Sequence, residues 1–331
     1  VFQTLRAAAL IGLATLVACA NPNADPTAPL LSETGAVSIS PQPDRFVLPD
    51  GGELQYVALT PRHWGLSEPP HHRVYVIPGS GCNGLGGIAT DYFHGLRHGE
   101  VVIPHKRHVD ASRWQGQQPV CSEAFERADS LTVWAQDAAD FIRWHLQHHP
   151  PRENQAVGLV GISEGAELLA GLAAVWPHFK LLGLVGSTGL DPLEALSMQA
   201  QRVQAPDFAT QLKRRAADSS LPDEYVWADR RLAYWRSLVT WRHSQVLLAR
   251  AEPLWLGFGG QDSSVPPQGL QRFLQRAKQQ GRRLCVVLYA DAEHGLQRVG
   301  GQGPLQHYWA LVADALKRKD PMQACPVWAR Q

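Results

Sequence analysis

The strongest constraint on the fold is a series of short, nearly unbroken apolar runs separated by segments of helical periodicity. The runs are RVYVIP (73–78), EVVIP (100–104), AVGLV (156–160), KLLGLVG (180–186), PLWLGFG (253–259) and RRLCVVLYA (282–290). None alternates apolar and polar residues as a half-exposed strand does. A strand apolar on both sides needs cover on both faces, which describes the interior of a parallel sheet. The intervening segments supply that cover. SLTVWAQDAADFIRWHL (130–146) puts Leu131, Trp134, Ala138, Phe141 and Ile142 on one helical face. It follows Asp129, read as its cap, and stops before Pro150. EGAELLAGLAAVW, PQGLQRFLQRAKQQG and PLQHYWALVADALKRK read as further helices, the second with Pro at its start and Gly at its end. Upstream, RFVL and LQYVAL flank PDGG and suggest a hairpin. The pattern predicts an α/β fold with a mostly parallel, doubly wound sheet.

The interval between the strands at about 180–186 and 253–259 is too long for a structureless loop. It holds DEYVWADRRLAYWRSLVTW and is expected to form an inserted helical cap, with Trp227, Leu232, Trp235, Leu238 and Val239 on one apolar helical face. The expected organisation is a core from 46–190 and 252–331 with the cap at 191–251.

The first 45 residues have a different character. Arg6 precedes the apolar run 7–20, which is too short to span a bilayer and has the length of a signal-peptide core. The run ends Leu16-Val17-Ala18-Cys19, which resembles the lipobox of bacterial lipoproteins. That resemblance implies a signal peptide at 1–18, acylation of Cys19 and a Pro-rich, lipid-anchored tether over 19–45. The expected location is the cell envelope, periplasmic or outer-membrane associated. Four cysteines remain, and three pairings are open to them. Nearest-neighbour pairing gives Cys82–Cys121 and Cys285–Cys325, consistent with an oxidising compartment. The net charge of +1 carries no basic excess for nucleic acid.

One segment carries chemistry. Gly161-Ile162-Ser163-Glu164-Gly165 lies between a buried strand and a helix. The bare G-x-S-x-G is weak, but a sharp strand-to-helix turn raises a serine hydroxyl above the sheet edge. Such a serine needs a base and an acid to orient that base. Asp262 follows one later strand and His294 follows the last. In order and context these residues resemble the α/β-hydrolases over roughly residues 46–319. The resemblance implies Ser163 as nucleophile, His294 as general base and then acid, and Asp262 as orienting carboxylate. It also implies an oxyanion hole from the backbone N–H groups of Glu164 and Ser80, although Pro78 stands where the family often has His. Asp191, after the preceding strand, is the alternative acid. Glu164 reads either as an anion suited to the first helical turn or as a carboxylate that meets an amine on the substrate.

The implied activity is hydrolysis of a carboxylic ester, a small-molecule or acyl substrate, with no cofactor and no metal. A peptidase or aminoacyl amidase on the same triad is the alternative. Two other classes compete. Gly79-Ser80-Gly81-Cys82-Asn83-Gly84 matches G-x-G-x-x-G after a strand, and His105-Lys106-Arg107 could meet the 2′-phosphate of NADP. A catalytically inactive binding protein on the same fold is the other. The histidine pairs 71–72 and 148–149 read as solvated ends of elements, with no metal-binding spacing.

Overall fold

The computed structural model describes residues 41–116, 119–298 and 303–326. Cys19 and the proposed signal peptide lie outside them. Strands β1 (Asp44–Val47), β2 (Glu53–Leu59), β3 (His72–Ile77), β4 (Glu100–Pro104), β5 (Ala156–Ile162) and β6 (Leu181–Val185) come first. A small hairpin of β7 (Val226–Trp227) and β8 (Arg230–Arg231) precedes β9 (Leu254–Gly259) and β10 (Leu284–Tyr289). The helices are α1 (Ala89–Tyr92), α2 (Glu123–Ala128), α3 (Leu131–His148), α4 (Leu169–Leu172), α5 (Pro192–Arg202), α6 (Phe208–Ala217), α7 (Leu232–Thr240), α8 (Ser244–Ala249), α9 (Pro267–Gln279) and α10 (Gly303–Lys317). Among the described residues, no helix is long and apolar enough to cross a membrane.

Eight strands form one sheet in the order β1-β2-β4-β3-β5-β6-β9-β10. β1 and β2 run antiparallel to their neighbours, and every other pairing is parallel. This is the mostly parallel sheet the apolar runs predict. Side chains alternate between two cores. Tyr75 and Ile77 of β3 and Val157 and Leu159 of β5 face one, with Leu182 and Leu184 of β6. Val74, Val76, Val160, Ile162, Leu181 and Val185 face the other. Burial on both faces explains why these strands lack polar alternation. β1 starts at Asp44, so the last two residues assigned to the tether belong to the sheet.

From β3 the chain steps to β4 on one side, then returns past β3 to β5 on the other. The crevice at the carboxyl ends of β3 and β5 is therefore the switch point, where open α/β sheets place ligands. The residues following these two strands include Ser80 and Ser163.

Helices α5 to α8 and the hairpin form the cap inserted between β6 and β9. Its two ends are tied together. Asp191 Oδ1 accepts from the backbone N–H groups of His243 and Ser244, each at 2.9 Å. The His243 ring lies 2.6 Å from the Leu190 carbonyl oxygen. Trp227 falls in the hairpin rather than on a cap helix, because Ala228 and Asp229 both have positive φ (50° and 58°) and turn the chain back. Its ring stacks on Phe208 at 4.8 Å.

Two disulfides close the fold. Cys82–Cys121 has Cα atoms 5.6 Å apart and Cys285–Cys325 5.7 Å, the pairing expected from proximity in sequence. Each spans about 40 residues, worth about 4 kcal/mol if the effect is wholly on the entropy of the unfolded chain.

Two terminal details differ from the sequence expectation. Helix α3 is capped by Ser130, whose Oγ accepts from Val133 N, leaving Asp129 for another role. The segment after Ser163 is a 3-10 helix over Ser163–Leu168 followed by the single turn α4, not one continuous α-helix. Over so few residues, apolar spacing does not distinguish i+3 from i+4 bonding.

His72 is the larger correction. It is fully buried, and among the described residues both ring nitrogens lack a hydrogen-bond partner. A methyl group on Gly99 would come within 2.3 Å of its Nε2, so the ring needs glycine there. Burial, with Lys317, His71 and His98 adding positive charge, pulls its pKa down to about 3. The unfolded chain then binds a proton that the folded chain refuses. Stability from this group is present above pH 6.5 and is lost as pH falls toward about 3. His72→Leu removes the effect. The stability of wild type relative to this variant should fall by about 1.4 kcal/mol per pH unit between pH 6 and 4. Urea titrations across that range measure it, and parallel pH profiles would refute it.

Candidate active site

The turn after β5 is built by exclusion of side chains. A Cβ on Gly161 would lie 2.4 Å from the Gly165 carbonyl oxygen, and one on Gly165 would lie 2.2 Å from that of Ile77. Glycine at both positions lets the turn close and press against the exit of β3. Ser163 between them has φ 52°, in the left-handed region that a non-glycine residue enters only at a cost. The neighbouring exit of β3 leads to Ser80, which lines the same cavity as Ser163. Cys82, two residues on, is held by its disulfide to Cys121.

The loops after β9 and β10 meet in the same manner. A Cβ on Gly259 would lie 2.3 Å from the Glu293 carbonyl oxygen, and one on Gly260 would lie 2.6 Å from that of Ala290. This close approach joins Asp262 and His294. His294 Nδ1 lies 2.9 Å from Asp262 Oδ2. Asp262 Oδ1 accepts from the N–H groups of Ser264 (2.8 Å) and Val265 (2.9 Å), which fixes the carboxylate. Both side chains are buried. With Nδ1 occupied, Nε2 is the ring nitrogen left without a partner among the described residues. Gly186, at the end of β6, connects the two halves. It lines the cavity with Ser163, and a Cβ on it would lie 3.1 Å from His294 Cε1.

Asp191, the alternative acid, is committed to the neck of the cap and makes no contact with His294 among the described bonds. The basic residues of the dinucleotide reading are also engaged. His105 Nε2 accepts from Leu85 N, Arg107 pairs with Asp137 and Asp50, and Lys106 pairs with Asp129 and Glu164. The fingerprint loop itself carries the Cys82 disulfide. Among the described residues, Lys106 and Arg107 are paired with carboxylates and His105 is buried against the Leu85 backbone, so these groups are not presented for a 2′-phosphate.

Beside Ser163 lies a buried polar cluster that the sequence did not disclose. Lys106, after β4, donates to Asp129 at 2.7 Å and to Glu164. Arg230, on the hairpin, donates to Asp129, and Tyr234 of α7 donates to Glu164 at 2.7 Å. Burial alone would lower the Lys106 pKa, but the two carboxylates outweigh it and hold the ammonium above its ordinary value. Burial likewise opposes ionisation of Asp129, and Lys106 and Arg230 reverse that. Glu164 is thus no spare carboxylate awaiting an amine. Both its oxygens are taken, and it links the turn at Ser163 to the cap. A second buried pair, Glu167 and His243 at 2.7 Å, lies nearby.

No protein-family model and no curated protein matches the sequence. Solved structures do match its shape. A puromycin-hydrolysing peptidase of Mycobacterium tuberculosis is 13% identical over 86% of this chain and 39% of its own, with a TM-score of 0.57. Pyrococcus horikoshii acylaminoacyl peptidase is 16% identical over 86% and 42%, with a TM-score of 0.53. A thermophilic esterase of Thermogutta terrifontis is 15% identical over 83% and 91%, with a TM-score of 0.51. The chain has the α/β-hydrolase fold. It spans about two fifths of the length of the two peptidases, at 39% and 42%. On the α/β-hydrolase fold, the strand ends that carry Ser163, Asp262 and His294 form one edge of the sheet, and the cap lies over that edge.

Proposed function

We propose that the protein is a serine hydrolase of carboxylic esters, with Ser163, His294 and Asp262 as its catalytic residues. The observation that carries this reading is the buried Asp262–His294 pair at the sheet edge where Ser163 is held in a strained turn. In this reading Ser163 Oγ attacks the ester carbonyl carbon and its proton passes to His294 Nε2. The imidazolium, steadied by Asp262, then gives the proton to the departing alcohol as the C–O bond breaks. Water attacks the acyl-enzyme by the same route and releases the acid. The N–H groups of Glu164 and Ser80 would hold the developing oxyanion; loss of one such donor lowers turnover by about 10²–10³-fold in other enzymes. Among the described residues no hydrogen bond joins Ser163 to His294. Such bonds commonly tighten only when substrate binds.

The apolar cavity wall under the cap favours an ester over a charged peptide terminus. An aminoacyl or peptide substrate is the second reading. It draws on two of the similar structures, whose names are those of peptidases. It loses the support of Glu164, which Lys106 and Tyr234 already hold. The two disulfides favour an exported protein, and lipid attachment at Cys19 belongs to the same proposal.

A fluorophosphonate probe followed by peptide mapping tests the reading. The expected adduct is on Ser163, and p-nitrophenyl esters should be cleaved faster than aminoacyl amides. An adduct elsewhere, or none together with no ester cleavage, would remove it. Faster amide cleavage would favour the second reading.

A further inference from the structure

Ser163 opens into a cavity of about 160 Å³ between the sheet edge and the cap. That is close to the ~150 Å³ of a cavity that takes up one benzene molecule. Its lining includes the apolar residues Pro192, Leu196, Phe208, Trp235 and Leu238. Arg230 is the guanidinium in that lining. Arg230 lies with its guanidinium carbon 4.0 Å from the centroid of the Tyr234 ring, and its Nη1 is spent on Asp129. Its other donors have no hydrogen-bond partner among the described residues. They are held on a rigid fork at the cavity wall, so they can meet an acceptor without reorganisation.

Charge decides what kind of acceptor fits. Lys106 and Arg230 balance Asp129 and Glu164, two cations against two carboxylates. The remaining carboxylate on the wall, Glu167, faces His243. The cavity therefore has no surplus positive charge. A carboxylate on the substrate would lose its water without a free cation in return. It would also repel the oxyanion that forms at Ser163. A neutral carbonyl oxygen meets neither penalty.

We infer that Arg230 is a specificity-determining residue that hydrogen-bonds a neutral carbonyl oxygen in a substrate whose apolar part is about the size of a single ring. The inference rests on the ester-hydrolase reading and narrows it to compact esters that carry a second, uncharged carbonyl group.

The test compares three ethyl esters: 4-phenylbutanoate, 4-oxo-4-phenylbutanoate and 4-(4-carboxyphenyl)butanoate. The first two match in length and differ by one ketone oxygen. Wild type should show a higher kcat/KM for the ketone than for the hydrocarbon, with the carboxylate the poorest. In Arg230→Met the ketone-to-hydrocarbon ratio should fall by about tenfold or more, as for loss of a hydrogen bond to a charged donor. Using the ratio removes the intrinsic reactivity of each ester. Should Arg230→Met not fold, Arg230→Lys keeps a cation for Asp129 but loses the fork, and its ratio should also fall. An unchanged ratio in the folded variant, or a preference for the carboxylate, overturns the inference, and phosphonate labelling of Ser163 would show the hydrolase reading intact. Absence of labelling together with no ester cleavage would overturn both.

Discussion

Ser163→Ala is expected to lower turnover by about 10⁴-fold or more and to abolish phosphonate labelling. The size follows from the division of labour. Removing the hydroxyl leaves His294 and Asp262 in contact but with no nucleophile to activate. Any residual rate over water would come from binding and from the oxyanion donors. Stability should not fall with activity. The native Ser163 occupies a left-handed backbone conformation at φ 52°, and alanine inherits that strain without adding to it. Thermal unfolding of the variant should therefore track wild type while esterase turnover disappears. A variant that keeps more than a hundredth of wild-type turnover would place the nucleophile elsewhere.

Lys106→Met should have the largest effect on stability, destabilising by about 3–5 kcal/mol. Among the described residues, the ammonium is the group paired with both Asp129 and Glu164. Its removal strands Glu164 as a buried anion with one hydroxyl partner, Tyr234. The loss reflects that stranding rather than the net strength of the pair. Adding Glu164→Gln to the variant should therefore recover part of it, giving a double variant less destabilised than the two single changes added together. Urea denaturation of the four proteins measures this coupling. Strict additivity would mean that the cluster contributes no coupled stability.

The reading of the sheet from sequence worked because its strands are buried on both faces. Val74–Ile77 and Val157–Ile162 have nothing to alternate, so they stand out as runs. Ser163, Asp262 and His294 stand out as candidates for a related reason, since each follows such a run. The buried cluster was not legible. Lys106, Asp129, Glu164 and Arg230 come from four separate segments, and each alone resembles a solvated charge or a cap. Position alone assigns the cap of α3 to Asp129, whereas the neighbouring Ser130 serves there. His72 was misread because β3 begins one residue earlier than its apolar run, which carries a polar ring into the interior. Trp227 suits a helix by its eight-residue spacing from Trp235, and the two left-handed residues after it include no glycine to announce the turn.

The knot of bonds among Leu190, Asp191, His243 and Ser244 has a consequence for how such a protein can diverge. Everything between those points departs from the sheet and rejoins it at nearly one place, leaving the strand ends that carry Ser163, Asp262 and His294 outside the excursion. The intervening fifty residues form an exchangeable roof. Swapping them for another of similar footprint that still supplied partners for Asp129 and Glu164, as Arg230 and Tyr234 do, would give the same sheet edge a chamber of different shape without rethreading a strand of the main sheet.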